Sequence, residues 1–416
     1  MLVSNAPFIN SGYGITTANL AKMWREMGHE VAIFSVYGLE GATLQWDGFT
    51  VFGRSHAQWG QDSIWSHCKK FGADVVITNA ETHFRGGYGS RYIPWVPICP
   101  VMEDPLVGMT KNSMDGAYAI ITISKYSQRV LKEGGINAHL IPLPIATDFY
   151  HPIPKGVARE MIGITPDEFV IGTVGMNRGR RKGHDILLQA FHKFLGEVPR
   201  SRLMIHTDPR QPDGVNLEDM VQEFGLGEKV GFPSPYDAFY GLPATHMLAF
   251  YNALDLAVYP SLNEGQCLPI WEGFSCGNIA VATNATALTE AMEGAQGVIV
   301  EPHRTRNMSR AWSYEITPDA LCEAMLKAYE EWGRGKMTVS MKNRQWAIDT
   351  VSVPIVGFLW QDFLWNLEKR LRFAPKAKPW KEKPTIAHVA TKIQNCGIAA
   401  YARSLQAAME TLTVDV

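Results

Sequence analysis

Short apolar runs recur along this chain between longer amphipathic stretches. Met1 to Ser4, Val31 to Val36, Asp74 to Thr78, Ile93 to Val101 and Ala119 to Ile123 read as strands of a first series. Between the first two, Leu20, Met23, Trp24 and Met27 fall on one face of a helix that Gly28 ends. Ser124 then caps a helix through Leu131. After the proline-bounded stretch His151 to Lys155 a second series begins. Phe169 to Val174, Leu203 to Thr207, Lys229 to Phe232, Leu256 to Tyr259, Ile279 to Ala282 and Val298 to Val300 are its strands. Ile186, Leu187, Ala190, Phe191 and Phe194 supply the first helical stripe. Strands alternating with helices predict parallel sheets, here two in succession. Thr317 and Pro318 open another helix through Trp332, and a helix rich in Trp and Phe follows Val353, including Phe358, Trp360, Phe363 and Trp365.

Composition narrows the chemistry. At 416 residues the chain can form two to three domains with cores of their own. A formal charge of −2 gives no global attraction to nucleic acid or anionic lipid. The six cysteines are scattered without a CxxC pair, which argues for reduced thiols in a cytoplasmic protein and against a zinc site. No run of ~18 apolar residues suggests a membrane span, and a peripheral position at a membrane remains open.

The chemistry concentrates between Ser261 and Glu290, SLNEGQCLPIWEGFSCGNIAVATNATALTE. Glu264 and Glu272 border the start of a short helix that is expected to begin after Gly265 and to end at Gly277. The amides of Gly265, Gln266, Cys267 and Leu268 would then be free donors, suited to a diphosphate or to sugar hydroxyls. A second cluster, Arg178, Arg180, Arg181 and Lys182, follows the strand Phe169 to Val174, where a pyrophosphate would meet cationic side chains. In the loop NAPFINSGYG the Gly12 and Gly14 pair is not a full GxGxxG, and no acidic ribose reader ends the second strand. That counts against a dinucleotide-binding dehydrogenase.

The words EGQCLPIWEGFSCGNIAVAT resemble the donor-binding signature of retaining glycosyltransferases of family 4, usually close to EGFGLPxLEAMACGxPVVAT. The resemblance implies the α/β GT-B fold, two Rossmann-like doubly wound domains facing a cleft, with a C-terminal crossover helix. The expected division is residues 1–152 for the acceptor domain, 153–350 for the nucleotide-sugar donor domain and 351–375 for the crossover helix. Residues 376–416 would be a linker and the beginning of a second such unit, cut from a longer tandem protein or docked on the first.

By the same resemblance Glu264 faces the transferred sugar, Glu272 takes the ribose hydroxyls, and the amides of Gly265, Gln266, Cys267 and Leu268 hold sugar and diphosphate. KGxDxLLxAF matches residue by residue and places Lys182 at the departing diphosphate. The accompanying arginine is Arg178, with Arg181 as its rival. Gly14 lies in the loop that lines the cleft. Where relatives carry a histidine, this chain reads PVMEDPL, so Glu103, or next Asp104, stands in its place. The implied activity is metal-independent transfer of a hexose, with retention, from a UDP- or GDP-sugar to a hydroxyl of a glycan, lipid or small molecule, with no cofactor. A non-catalytic nucleotide-sugar-binding or assembly protein with a degenerate site is the alternative.

Overall fold

The computed structural model describes residues 1–81, 93–165, 167–307, 311–333 and 339–373. The chain divides into two compact units, Met1–Leu364 and Trp365–Val416, and both large sheets belong to the first. In the second, Lys369 Nζ lies 3.1 Å from the centroid of the Trp365 ring. The expected linker and second glycosyltransferase-like segment, residues 376–416, lie outside the described residues.

The first sheet contains β1 (Leu2–Asn5), β2 (Ala32–Glu40), β3 (Thr43–Trp46), β4 (Phe49–Arg54), β5 (Val76–Asn79), β6 (Trp95–Cys99), β7 (Ile121–Thr122) and β8 (His139–Leu140). Their order is β3-β4-β2-β1-β5-β6-β7-β8, parallel except for the β3–β4 hairpin at one edge. That hairpin lies where the hydrophobic pattern predicted no element. Its turn, Asp47-Gly48, has both residues at positive φ (49° and 80°), the geometry a tight hairpin demands. The first helix, Gly12–Glu26, starts sooner than the loop to Gly14 suggested, because the Ser11 hydroxyl caps it by accepting from Gly14 N.

The second sheet contains β9 (Phe169–Val174), β10 (Ser201–His206), β11 (Val230–Gly231), β12 (Leu256–Tyr259), β13 (Ala280–Thr283) and β14 (Gly297–Val300), in the order β11-β10-β9-β12-β13-β14 and parallel throughout. Successive residues face opposite layers. Ile171, Val258 and Val281 join Leu187, Phe191 and Leu321 on one side, while Val170, Ala257 and Ala280 meet Tyr251, Trp271 and Phe274 on the other. Both faces are thus covered by helices, as a parallel sheet requires. After β14 a hairpin, β15 (His303–Arg306) and β16 (Trp312–Glu315), forms a small sheet of its own.

Within the first unit, the helix that starts at Val353 meets residues of the first sheet's layer. Trp360 packs edge-on against Trp24 at 4.8 Å, and Phe363 meets His139 at 5.0 Å. Phe358, on the opposite side, is exposed. Among the described residues no helix is long and apolar enough to cross a membrane.

Trp360 is fully enclosed, so Trp360→Ala is expected to lower stability by roughly 3–5 kcal/mol. Denaturant unfolding checks this, and unchanged stability would mean that the helix does not cover the first sheet's core.

Candidate active site

Adjacent parallel strands β9 and β12 carry their following loops to the same end of the sheet. The two loops touch through backbone. Leu262 N donates to Arg181 O at 2.8 Å, and Gly183 packs so closely that a Cβ there would lie 2.2 Å from Pro260 O. Gly183 also has φ +65°, so glycine is needed twice over. This contact brings residues about eighty positions apart into one site.

Glu264 is 4% exposed. Lys182 Nζ donates to its Oε1 at 2.5 Å, and Arg181 donates from one guanidinium nitrogen to its Oε2 at 3.1 Å and to Asn263 O at 3.0 Å. Burial pushes the Glu264 carboxyl up, but the charges of Lys182 and Arg181 outweigh it and hold the group at about 2. Thr286 fixes the backbone here, its Oγ1 accepting from Glu264 N at 2.9 Å. Thr286 (φ 53°) and Cys267 (φ 60°) both hold the left-handed conformation that side chains disfavour, so strain gathers around Glu264. At Cys267 the resembled signature has glycine, which accepts that φ freely.

The helix after Glu264 begins at Leu268, later than the sequence predicts. Gly265 and Gln266 instead run along the other lobe. Gly265 lies against Pro100, and the Gln266 side chain donates to Leu143 O at 2.9 Å and accepts from Leu143 N at 2.7 Å. The amides of Gly265, Gln266, Cys267 and Leu268 donate to no protein group among the described residues. They form a short row of free donors beside the cationic pair.

Glu272 lies inside this helix, in its second turn. It is 7% exposed and accepts from Tyr251 OH at 2.5 Å. Burial raises its carboxyl to about 7, the Tyr251 hydrogen bond opposing only part of the rise.

The structure separates the two candidate arginines. Arg181 meets Glu264, whereas Arg178 is exposed and makes no ion pair with any described residue. Arg180 is held by Asp185 at 2.6 Å and Glu315 at 3.0 Å. Glu103 and Glu264 share no hydrogen bond or partner among the described residues. Glu103 accepts from Thr110 Oγ1 at 3.2 Å and from Met102 N at 3.3 Å. Asp104 pairs with Arg129 at 2.9 Å, and its carbonyl accepts from Trp312 N. Gly14 has its amide engaged by Ser11, and a Cβ on it would strike Ile9 O. Gly12, by contrast, lies near Leu268.

Three contributors carried no local signal: Thr286 under Glu264, Tyr251 on Glu272, and the side chain of Gln266 on Leu143. Each acts across a separation that only folding closes. Glu290, the last acid of the signature, also acts across the lobes, accepting from Lys125 N at 2.8 Å and Tyr126 N at 3.3 Å. It thereby caps the helix Lys125–Glu133. Among the described residues no cluster of three or more His, Cys, Asp or Glu is placed to hold a metal ion.

Comparison with known proteins agrees with this geometry. The family model described as glycosyl transferases group 1 matches residues 168–328. A D-inositol 3-phosphate glycosyltransferase of Geodermatophilus obscurus is 30% identical over 219 residues, covering 46% of this chain and 48% of that protein. These likenesses support a family 4-like glycosyltransferase. The serotype-specific mannosyltransferase WbdA of Escherichia coli is 28% identical over 194 residues, 46% of this chain and 22% of WbdA. The chain thus spans about half the length of the first relative and less of the second. Sucrose-phosphate synthase from Thermosynechococcus elongatus matches in fold with a TM-score of 0.72 at 16% identity, covering 88% of this chain and 98% of that one. Anabaena HepE, solved in complex with UDP and glucose, matches at 0.69 with the same identity and coverage. The fold is GT-B.

The raised carboxyl of Glu272 has a consequence for stability. A carboxyl moved from 4.5 to about 7 keeps a proton in the folded chain that the unfolded chain has released, so its contribution is full below pH 4.5 and declines as pH rises through 7. Relative to Glu272→Gln, the parent chain is expected to lose on the order of 3 kcal/mol across that window. Unfolding free energies measured from pH 4.5 to 8 test this; parallel curves for the two proteins would show that Glu272 titrates normally.

Proposed function

We propose that this chain transfers a hexose from a nucleoside diphosphate sugar, UDP- or GDP-linked, to a hydroxyl acceptor, with retention at the anomeric carbon. The observation that carries the reading is the buried Glu264 gripped by Lys182 and Arg181 next to four unengaged amides. Cations and amide donors suit a diphosphate, and carboxylates suit sugar hydroxyls. In the closed-off cleft a bound donor would draw Lys182 and Arg181 toward its phosphate oxygens and leave Glu264 to accept from the sugar. Glu272, one turn into the helix, would take the ribose hydroxyls.

In the reaction the bond between the anomeric carbon and the diphosphate oxygen breaks, its electron pair leaving with the diphosphate. A new bond forms to the acceptor oxygen, whose proton passes to the departing phosphate. Stabilising the leaving group's charge is the main task, and Lys182, Arg181 and the amides of Gly265 to Leu268 would perform it without a metal ion or cofactor. Of the two arginines, Arg181 is the one we assign, because it already reaches Glu264 while Arg178 is exposed and pairs with no described residue. Glu103, bound to Thr110, would be a wall of the acceptor side and not a reacting group.

Lys182→Ala is expected to cut turnover by at least ~100-fold, the effect of losing one contact to a developing anion. Arg181 still pairs with Glu264 in that variant, so folding should hold. Release of nucleoside diphosphate from labelled UDP- and GDP-sugars measures it, and near-normal release would remove Lys182 from the leaving-group role.

A further inference from the structure

Three loops of the first sheet leave the same end of neighbouring parallel strands, those after β1, β5 and β6. The outer two touch the signature loop of the other lobe. A Cβ on Gly12, after β1, would lie 3.6 Å from Leu268 Cδ1, and one on Gly265 would lie 2.9 Å from Cβ of Pro100, the residue that follows β6. β5 runs between those strands, so the residues just past it are set opposite the same stretch, Gly265 to Leu268. Glu81 is among them.

Glu81 is half-buried and held from its own lobe. Tyr13, in the first turn of the helix Gly12–Glu26, donates its hydroxyl to Glu81 Oε1 at 2.9 Å, and the other carboxylate oxygen bonds no described residue. In the second lobe Arg181 uses one terminal nitrogen for Glu264 and Asn263, while its Nε and second terminal nitrogen also bond no described residue. The two groups act on one another through space. Burial works against the Arg181 proton, but Glu264 first and Glu81 with it outweigh burial and raise the guanidinium above its ordinary value. An acid of the first lobe thus faces the cation beside Glu264.

We propose that Glu81 is a positioning residue for the transfer reaction: fixed by Tyr13, it orients Arg181 toward the leaving diphosphate from the opposite lobe. This rests on the transfer reading above. When a diphosphate draws Arg181 off Glu264, a planar guanidinium is best fixed with both of its edges bonded, and its five donors allow that. Phosphate oxygens would take one edge and Glu81 the other. The carboxylate also repels the diphosphate, which weakens donor binding before reaction. That opposition separates steering from mere proximity. A bystander acid, once neutralised, would leave turnover unchanged or faster, whereas loss of a steering acid slows it.

Release of nucleoside diphosphate from UDP-glucose and GDP-mannose by the full chain tests the assignment. Glu81→Gln keeps the side chain's size and can still accept from Tyr13, so its melting curve is expected to match the parent's. Its kcat is expected to fall roughly ten- to a hundredfold, as for a misplaced catalytic group, with no rise in KM for the donor. Glu81→Asp, which keeps the charge, should recover part of the rate, and Tyr13→Phe should lose part of it. In an Arg181→Ala background Glu81→Gln is expected to change kcat by less than about twofold, because the group it steers is gone. Unchanged or faster turnover in Glu81→Gln, a raised KM at constant kcat, or an undiminished effect in the Arg181→Ala background would overturn the assignment and leave the transfer reading standing. No release from either probe by the parent chain would remove the transfer reading itself, and the assignment with it.

Discussion

A carboxylate buried with two cations governs this molecule. Removing Glu264 from water is unfavourable, and Lys182 and Arg181 are the charges that make it tolerable. Satisfying that charge requires two loops from neighbouring strands to meet, which in turn requires Gly183 to pass within contact of Pro260 and Thr286 to hold the Glu264 amide in strained backbone. Such pairs contribute little net stability against well-packed apolar side chains. Their persistence in a pocket of unengaged amides is therefore better explained by ligand chemistry than by folding.

The lobes of the first unit meet through hydrogen bonds as well as apolar packing. Gln266 pairs with both backbone groups of Leu143, Glu290 caps a helix of the other lobe, and Trp312 N donates to Asp104 O. Each of these tethers lies beside the signature loop or the hairpin that follows it. Movement of one lobe against the other would consequently act first on the residues that would surround the transferred sugar. The strained Cys267 and Thr286 sit where such movement would be felt.

How far the fold could be read depends on where the information lies. Strands such as β9 and β12 were legible to the residue because both their faces are buried and nearly every position is apolar. The β3–β4 hairpin was not, since its edge strand is largely solvated and its pattern is weak. The start of the signature helix was misplaced because Gly265 and Gln266 obey contacts to Pro100 and Leu143, which no local rule contains. Local propensity yields to tertiary contact in such places.

The sequence by itself determined the α/β class, two parallel series, the membership of Glu264 and Glu272 in one signature and that of Lys182 in a second motif, because strand and helix periods and motif spacing are local quantities. Tertiary structure alone brought Arg181 to Glu264, joined Glu103 to Thr110, and gave Glu272 its tyrosine partner and its raised carboxyl. Those are matters of direction and burial. A side chain's partner is set by where other strands end, and its ionisation by how much water the surrounding layers exclude.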